Sequence, residues 1–386
     1  MDMLLDNKKI AIIGGGPGGL TLARLLLLKG ADVKVYERDY GKEARVQGAI
    51  VDLHFGSGLK AIEEAGLLDA FKTQYMKGAD RHRILDRHAI IRYDEHNEES
   101  DICFGDERFR PEIDRGALRN ILLNALQPGT VIWDSQFIGM ELVNKEWRLE
   151  FRNGTTATAD IVIGADGARS KIRPYVTDIK PQYSGVTIIQ GEIEDPEKDC
   201  AEIYALMNKA NMSAFDDGKI IAVQPRGDGG ITFYISAKQP ENCVATSGID
   251  FTNFKEVNAF LARFFEGWDP LFFTLFNACT NFTPRPLNCI PLDQTWEARP
   301  DMTLIGDAAH IMPPSGEGVN LAMLDALELC ECLSSETFTD IQAAIATYEN
   351  KMRTRAAKEA ENALEIKEWM HTENALANMV NLISPR

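Results

Sequence analysis

The chain has 386 residues, 45% hydrophobic and 26% charged, so its composition is that of a folded globular protein and excludes a mainly disordered or fibrous one. Its 41 Lys and Arg against 58 Asp and Glu give a net charge of −17, which disfavours a nucleic-acid surface. The start lacks the features of a secretion signal and no stretch is apolar enough to span a bilayer, so we expect a cytoplasmic protein. The seven cysteines are scattered, without metal-site spacing, and no metal is expected.

A βαβ unit is predicted at the start of the chain. Its parts are an apolar strand, a glycine-rich turn, an apolar helix and a second strand, at residues 9–13, 14–19, 20–29 and 32–37. A short apolar run fits a parallel strand that is covered on both faces, and the segment between the strands is long enough for the helical crossover that parallel pairing needs.

The glycine turn carries the pattern of a dinucleotide-binding site. Gly14, Gly16 and Gly19 let the backbone approach a diphosphate, and the start of the following helix offers unpaired N–H groups and a partial positive charge. Glu37 ends the second strand, where an acidic side chain can accept hydrogen bonds from a ribose. Strand, helix and acid together favour a dinucleotide site, whereas the glycines alone would also fit tight packing.

The middle of the chain predicts a second sheet. Buried strands that end in glycine turns are expected at 160–167 and 302–307, and alternating strands lie between them at 186–193, 219–223 and 230–236. This order indicates an α/β body with an inserted antiparallel sheet, which could face a substrate. From 339 to about 382 the chain is predicted to be helical, and packing is the simplest role for that segment.

The third glycine turn decides which dinucleotide is favoured. Asp307 ends a buried strand, and the segment 313–320 follows it and leads into a predicted helix at 321–332. Asp307 is suited to a hydroxyl of a polyol, and the turn points a helix N-terminus toward the negative charge that a flavin acquires on reduction. The motif therefore favours FAD over NAD(P). The alternative is an ordinary strand end, and for His310 we favour a structural role.

With these motifs in order, the chain resembles the group A FAD-dependent aromatic hydroxylases, the flavoprotein monooxygenases built like para-hydroxybenzoate hydroxylase. The motifs are the glycine turn with Glu37-Arg38, the Asp166-Gly167 turn, and Gly306-Asp307 with its Pro-Pro-x-Gly-x-Gly-x-Asn continuation. Within that family the chain is similar to the tetracycline-inactivating flavin monooxygenases, through segments that include Val35 to Asp39, Asp52-Leu53-His54 and Pro111 to Arg115.

The resemblance implies an α/β fold: a Rossmann-like FAD-binding domain with an inserted antiparallel β-sheet substrate domain and a C-terminal helix. We expect the FAD-binding domain at 1–72, 104–178 and 286–335, the substrate domain at 73–103 and 179–285, and the helical segment at 336–386. The resemblance further implies that FAD is bound by Gly14, Gly16, Gly19, Glu37, Arg38, Arg45, Asp52, Arg115, Asp307, Pro314, Gly316, Gly318 and Asn320.

Some of these residues have more specific implied roles. Glu37 and Arg38 are assigned to the adenosine part, and Arg45 to the flavin ring, where such an arginine is linked to the use of a nicotinamide cofactor. Arg115 also has a physical case of its own, because a guanidinium matches a diphosphate or a flavin oxygen, although a surface arginine is the alternative. The Asp166-Gly167 turn fits either a support of the cofactor pocket or a plain turn.

The family likeness implies an NAD(P)H-consuming monooxygenation. NADPH or NADH binds transiently and reduces FAD, and dioxygen then forms a flavin hydroperoxide that hydroxylates the substrate. No acid–base residue is assigned, because the cofactor carries the chemistry. The expected substrate is a polycyclic phenolic or enolic compound, foremost a tetracycline antibiotic that the enzyme would inactivate. Gln190 matches a substrate-facing glutamine of those enzymes, whereas Asn211 and Thr232 replace an arginine and a histidine, so polar contacts would be fewer and neutral.

Two other functional classes stay open from the sequence. One is a flavin dehydrogenase or reductase that transfers hydride without oxygen chemistry, and the other is a non-enzymatic binder that holds a planar ligand in the inserted sheet. The expected partners are a small aromatic or polyketide substrate and dioxygen, with neither nucleic acid nor membrane. We expect a monomer, because the C-terminal helix can cover the apolar surface of its own chain.

Overall fold

The computed structural model describes residues 4–44, 49–97 and 102–384. The strands are β1 (Lys9–Ile13), β2 (Asp32–Tyr36), β3 (Val51–Asp52), β4 (His82–Asp86), β5 (Ile91–Asp94), β6 (Glu112–Ile113), β7 (Val131–Ile132), β8 (Phe137–Val143), β9 (Glu146–Phe151), β10 (Thr156–Ala159), β11 (Ile161–Gly164), β12 (Gln182–Ile193), β13 (Asn211–Asp216), β14 (Lys219–Pro225), β15 (Ile231–Lys238), β16 (Phe282–Cys289) and β17 (Met302–Leu304). The helices are α1 (Pro17–Leu28), α2 (Lys60–Glu64), α3 (Leu68–Lys72), α4 (Arg115–Asn124), α5 (Arg173–Val176), α6 (Pro196–Asp199), α7 (Ala201–Met207), α8 (Cys243–Thr246), α9 (Phe254–Phe264), α10 (Pro270–Ala278), α11 (Asp307–His310), α12 (Gly318–Leu333), α13 (Ile341–Met370) and α14 (Ala375–Ile383).

A five-stranded parallel sheet forms one layer, in the spatial order β17-β11-β1-β2-β7. Its central strand β1 pairs with β2 on one side and with β11 on the other. The predicted βαβ unit is confirmed, but α1 begins at Pro17 rather than at residue 20. Proline suits the first turn of a helix because its φ is already helical and no intrahelical bond there needs its missing N–H group.

A seven-stranded sheet forms the second layer, in the order β16-β12-β15-β14-β13-β4-β5, and confirms the predicted inserted sheet. All of its neighbouring strands are antiparallel except the pair β13 and β4. Because side chains alternate along a strand, one face of this sheet packs against α7, α9 and α10, with Phe233 of β15 fully buried between Phe276 and Phe282. The other face packs partly against α14, at Phe215 and Ile220, and lines a cavity elsewhere.

The C-terminal segment is helical, as predicted, and it reaches both sheets. The helix α13 has 30 residues, which at about 1.5 Å per residue makes it roughly 45 Å long. Near its start Tyr348 donates a hydrogen bond to the carbonyl of Leu304 in β17 (2.9 Å), and near its end Lys367 donates to the carbonyl of Ser184 in β12 (2.7 Å). A single helix thus connects the two layers.

The strands of the two sheets come from the ranges of the chain that were expected for the two domains. The domain boundaries themselves stay a prediction. All strands of the five-stranded sheet lie in the ranges expected for the FAD-binding domain, and those of the seven-stranded sheet lie in the substrate ranges, except that β16 continues to Cys289.

Among residues 4–44, 49–97 and 102–384, no helix is both long enough and apolar enough to cross a membrane.

Candidate cofactor and substrate site

A cavity of about 610 Å³ is lined by residues of both sheets. At one end its wall contains the turns that follow three parallel strands: Gly16 to Gly19 after β1, Ala165 after β11, and Gly306-Asp307 after β17. The strand order reverses at β1: the next strand in the sequence, β2, lies on one side of β1, and the much later strand β11 lies on the other side. Open α/β sheets bind ligands at such a reversal of strand order, outside the carboxyl ends of the strands.

The three glycines of the first turn are required for different reasons. A Cβ on Gly14 would lie 2.3 Å from the carbonyl oxygen of Ala165, and its φ is +112°, while a Cβ on Gly19 would lie 2.2 Å from the carbonyl oxygen of Gly14. These two positions are fixed by close packing of backbone. A Cβ on Gly16 would meet nothing within 4 Å, and Gly16 lines the cavity. Gly16 is thus the position where a ligand can approach the backbone.

Glu37 lies beside this turn, as predicted, but outside the cavity lining. Its Oε2 accepts a hydrogen bond from the N–H of Gly15 (2.6 Å), and its Oε1 accepts one from the N–H of Asp39 (3.0 Å). Arg119, which the sequence analysis missed, donates from Nε to the carbonyl of Gly15 (3.2 Å) and completes the support of the turn. Arg38 is exposed and does not line the cavity, and Arg45 lies outside the described residues.

Asp307 lies on the cavity wall at the end of β17, where the sequence predicts it. Its carboxylate accepts no hydrogen bond from the described part of the chain, and it is accessible because it faces the cavity. Although Asp307 is open to the cavity, the protein atoms around it desolvate its carboxylate, and this raises its pKa against the opposing effects of His310 and Arg115. A carboxylate in this setting suits a donor on a ligand, such as a hydroxyl group.

His310 takes part in a buried network rather than in the cavity. Its Nε2 lies 2.6 Å from Oδ2 of Asp325, which also accepts a hydrogen bond from the N–H of Gly306 (2.9 Å). Arg355 of α13 donates to Oδ1 of Asp325 (2.6 Å). This network holds the strand end that carries Asp307, which agrees with the structural role that we favour for His310.

The segment before α12 borders the cavity through Met312, Pro313, Pro314, Ser315, Gly316 and Gly318. No side chain caps the start of α12, so its first N–H groups are available to an anionic ligand. Asn320 is fully buried and does not line the cavity, so its predicted contact with the cofactor stays a prediction. Its Oδ1 accepts a hydrogen bond from the N–H of His54 (2.8 Å), and its Nδ2 donates to the carbonyl of Asp52 (3.0 Å). Asn320 therefore positions the neighbouring loop.

That loop brings Asp52 to the cavity and holds it through His54, which the sequence analysis did not assign. Nε2 of His54 lies 2.7 Å from Oδ2 of Asp52, and its Nδ1 lies 3.2 Å from Oε1 of Glu317. Burial alone would lower the pKa of His54, but the hydrogen bonds to these two carboxylates outweigh it and raise the pKa to about 9. At neutral pH His54 is therefore an imidazolium that joins the loop to the start of α12.

Arg115 also lines the cavity, as predicted, at the first position of α4. Its Nε donates to the carbonyl of Ala49 (3.1 Å), while its terminal nitrogens make no hydrogen bond within the described residues. A guanidinium that is oriented through one nitrogen and free at the others is suited to bind an anionic oxygen.

The three predicted substrate residues do not line the cavity, and their contact with a substrate stays a prediction. Gln190 donates to Oε1 of Glu192 (2.8 Å), Asn211 donates to Oε1 of Glu112 (3.2 Å), and Thr232 is fully buried. Gln190 lies opposite the lining residue Tyr234 in the sheet, so it is on the expected face. The cavity ends before these positions are reached.

Other side chains form the substrate end of the cavity. The sheet contributes Ile188, Ala222, Gln224, Tyr234 and Ser236, and the end of α13 contributes Lys367, Met370 and, just after it, His371. Nε2 of His371 lies 2.7 Å from the hydroxyl of Ser236, so the helix end is tied to the sheet. The result is a chamber of mixed apolar and polar side chains, next to a wall that is suited to a long anionic ligand with hydroxyl groups.

Comparisons with known proteins agree with this geometry. A model of the family described as FAD binding domain matches residues 7–253 and 298–363. The chain is 27% identical over 410 residues to the monooxygenase penA of Penicillium thymicola, an alignment that covers 91% of this chain and 92% of that protein.

Solved structures with the same fold include two that bear on the site. HpxO of Klebsiella pneumoniae, solved with FAD and uric acid, has a TM-score of 0.74 at 22% identity over 96% of this chain and 91% of its own. The tetracycline destructase Tet(55) has a TM-score of 0.73 at 21% identity over 97% of this chain and 94% of its own. At these identities the likeness establishes the fold.

Proposed function

Since the chain belongs to the FAD binding domain family and is an FAD-dependent monooxygenase, we propose that it consumes NAD(P)H and dioxygen to hydroxylate a polycyclic phenolic or enolic compound. The observation that carries this proposal is a single cavity with two chemically different ends. One end offers glycine backbone, a helix N-terminus, Arg115 and Asp307, and the other is a chamber of mixed apolar and polar side chains against the inserted sheet.

The residues present fit FAD. The open side of Gly16 and the uncapped N–H groups at the start of α1 suit the diphosphate, and Arg115 suits an anionic oxygen of the same ligand. The carboxylate of Asp307, which lacks a donor among the described residues, suits a hydroxyl of the polyol chain. The uncapped start of α12 suits the negative charge that the flavin ring acquires on reduction.

The proposed reaction has a simple balance. The compound R–H, dioxygen, NAD(P)H and one proton give R–OH, NAD(P)⁺ and water. Bound FAD supplies the two-electron chemistry that activates dioxygen. The chain holds the cofactor and the substrate at the two ends of one cavity and keeps bulk water away from the reacting centre. A transient NAD(P)H agrees with a chain that carries one dinucleotide motif, at Gly14 to Gly19.

The substrate end favours a flat apolar body with a few oxygen groups. Ile188, Ala222 and Met370 supply apolar contacts, while Tyr234 and Gln224 can exchange hydrogen bonds with phenol or enol oxygens. Tetracyclines have this chemistry, and they are the first compounds that we propose to test. The proposal of tetracyclines draws support from the shared fold of Tet(55), while substrate contacts of Gln190, Asn211 and Thr232 stay predictions, because these residues do not line the cavity.

Product analysis tests the proposal. Purified protein with FAD, air and either NADPH or NADH is incubated with tetracycline and with a panel of polycyclic phenols, and products are identified by mass spectrometry. A product heavier by one oxygen atom is expected, together with NAD(P)H oxidation that depends on the compound. NAD(P)H oxidation without any oxygenated product across the panel would refute the proposal and favour a flavin reductase. Gel filtration and cell fractionation would test the expected monomer and its cytoplasmic location.

A further inference from the structure

Glu112 lies where the cofactor end and the substrate end of the cavity meet. It belongs to the two-stranded ribbon of β3 and β6, directly opposite Asp52, and both side chains line the cavity. Its Oε1 accepts a hydrogen bond from Nδ2 of Asn211, the first residue of β13 in the seven-stranded sheet (3.2 Å). Glu112 thus contacts the ribbon beside the cofactor site and the sheet beside the substrate chamber.

The surroundings of Glu112 favour a neutral carboxyl group. Residues directly opposite in an antiparallel pair have Cβ atoms about 4.5–5.5 Å apart, so the carboxylates of Asp52 and Glu112 are neighbours of like charge. Glu112 is 7% exposed and forms no ion pair within the described residues. Burial first, and then the charges of Asp52 and Asp80, raise the pKa of Glu112 to about 8, against the opposing effects of Asn211 and Arg115.

We propose that Glu112 is the proton donor of this cavity, holding at its carboxyl oxygen the proton that each turnover consumes. This inference rests on the proposed monooxygenation, in which one proton ends in the water formed from dioxygen. Glu112 gives up its proton inside the cavity, and solvent restores it past the exposed side chain of Asp80. If Glu112 is a neutral acid, two carboxyl groups can lie side by side without repulsion between two negative charges. The same neutral acid supplies a proton to a reaction that takes place away from bulk water.

Other titratable groups share the neighbourhood and have to be told apart from Glu112. On its own ribbon and the helix that follows are Asp52 and Arg115, on the loop before β4 is Asp80, and elsewhere on the cavity wall are Asp307, Tyr234, Lys367 and His371. The variant Glu112→Gln has the shape of the neutral acid but cannot release a proton, so it separates Glu112 from this set.

An infrared titration of the FAD-loaded protein measures the protonation of Glu112 without turnover. In difference spectra between neutral and higher pH, a carboxylic-acid carbonyl band should disappear with a midpoint near pH 8, and this titrating band should be absent from the difference spectra of Glu112→Gln. In Asp80→Asn the midpoint should fall, because a negative charge that raises the pKa of Glu112 is removed. A band that titrates near pH 8 and persists in Glu112→Gln, or a wild type without such a titrating band, would overturn the inference, whereas a carbonyl band that does not titrate there belongs to other buried acids or to FAD.

Turnover provides the second measurement. In Glu112→Gln the rate of product formation should fall by about 10²-fold or more, the usual contribution of a positioned acid, while the FAD content and the rate of flavin bleaching by NADPH stay at wild-type values. Glu112→Asp should restore part of the rate. If Glu112→Gln forms product at the wild-type rate, the role of Glu112 is refuted and the proposed monooxygenation is not. A wild type that oxygenates no compound refutes the proposed function, whatever the infrared titration gives.

Discussion

Replacing His54 with glutamine is expected to destabilise the protein most at neutral and mildly acidic pH. His54 lies between two carboxylates, with Nε2 at 2.7 Å from Oδ2 of Asp52 and Nδ1 at 3.2 Å from Oε1 of Glu317. Its side chain is 14% exposed, so solvent screens these contacts only weakly. The variant removes the positive charge that joins the loop after β3 to the start of α12.

The size of the effect follows from the pKa of His54, which rises from 6.5 to about 9 on folding. At about 1.36 kcal/mol for each pH unit, this difference corresponds to roughly 3 kcal/mol of stability. Because the folded-state pKa is the higher one, this stability is fully present below about pH 6.5 and is lost as the pH rises through about 9. With an unfolding entropy of about 2.1 cal/mol/K per residue over 386 residues, roughly 3 kcal/mol lowers the Tm by about 4 °C.

Thermal unfolding followed by circular dichroism at several pH values measures this effect. The Tm of His54→Gln should lie about 4 °C below that of the wild type near pH 6, and the two should converge above about pH 9. His88→Gln is the matched control, because that imidazole is exposed and lies outside the cavity, and its Tm should equal that of the wild type. A deficit of the same size at every pH would show a loss of packing and refute the electrostatic reasoning.

Four further substitutions test the two ends of the cavity. Asp307→Ala should weaken FAD binding about 10-fold or more in a fluorescence titration of the apoprotein, because a hydroxyl of the polyol loses its acceptor, and unchanged affinity would contradict that role. Gly16→Leu should lose FAD because its side chain enters the cavity, and the Tm of its apoprotein should equal that of the wild-type apoprotein. Gly14→Ala should lower the Tm of the apoprotein, because its Cβ would lie 2.3 Å from the carbonyl oxygen of Ala165. Lys367→Met should raise the KM for the substrate and leave the FAD affinity unchanged, as steady-state kinetics and the same titration would show.

The parallel sheet and its glycine turns could be predicted because local sequence determines them. β1, β11 and β17 are short apolar runs, buried on both faces, and each ends at or close to a glycine. In such a sheet the carboxyl ends of the strands meet at one edge, so residues that follow different strands must lie near one another. For this reason Gly16 and Asp307 could be placed in one site although they are far apart in the chain.

Asn320 shows where this kind of reasoning stops. An asparagine near the start of a helix can face a ligand or close a neighbouring loop, and the motif spacing is the same in both cases. Its observed partners, among them the N–H groups of His54 and Gly58, come from a loop whose path is set by tertiary packing. The position of the motif was therefore correct, while the contacts of this side chain could not be predicted.

The substrate end was harder to predict for a geometric reason. Alternation along a strand identifies the face on which a residue lies, but not how far along the strand a cavity extends. Gln190 and Thr232 therefore share a face of the sheet with the lining residue Tyr234, yet neither of them lines the cavity. Lys367 and His371 come from the end of a 30-residue helix, where the side that faces the cavity depends on packing along its whole length. Helical periodicity alone does not determine that orientation.

The electrostatic contacts of the site connect segments that lie far apart in the chain. Glu317 at the start of α12 binds His54, which binds Asp52, whose charge raises the pKa of Glu112, and Glu112 in turn accepts a hydrogen bond from Asn211 of the seven-stranded sheet. In a protein with a net charge of −17, the imidazolium of His54 supplies a positive charge beside this pair of carboxyl groups. The acid that contacts the seven-stranded sheet and the histidine that holds the loop after β3 thus share one neighbour, Asp52.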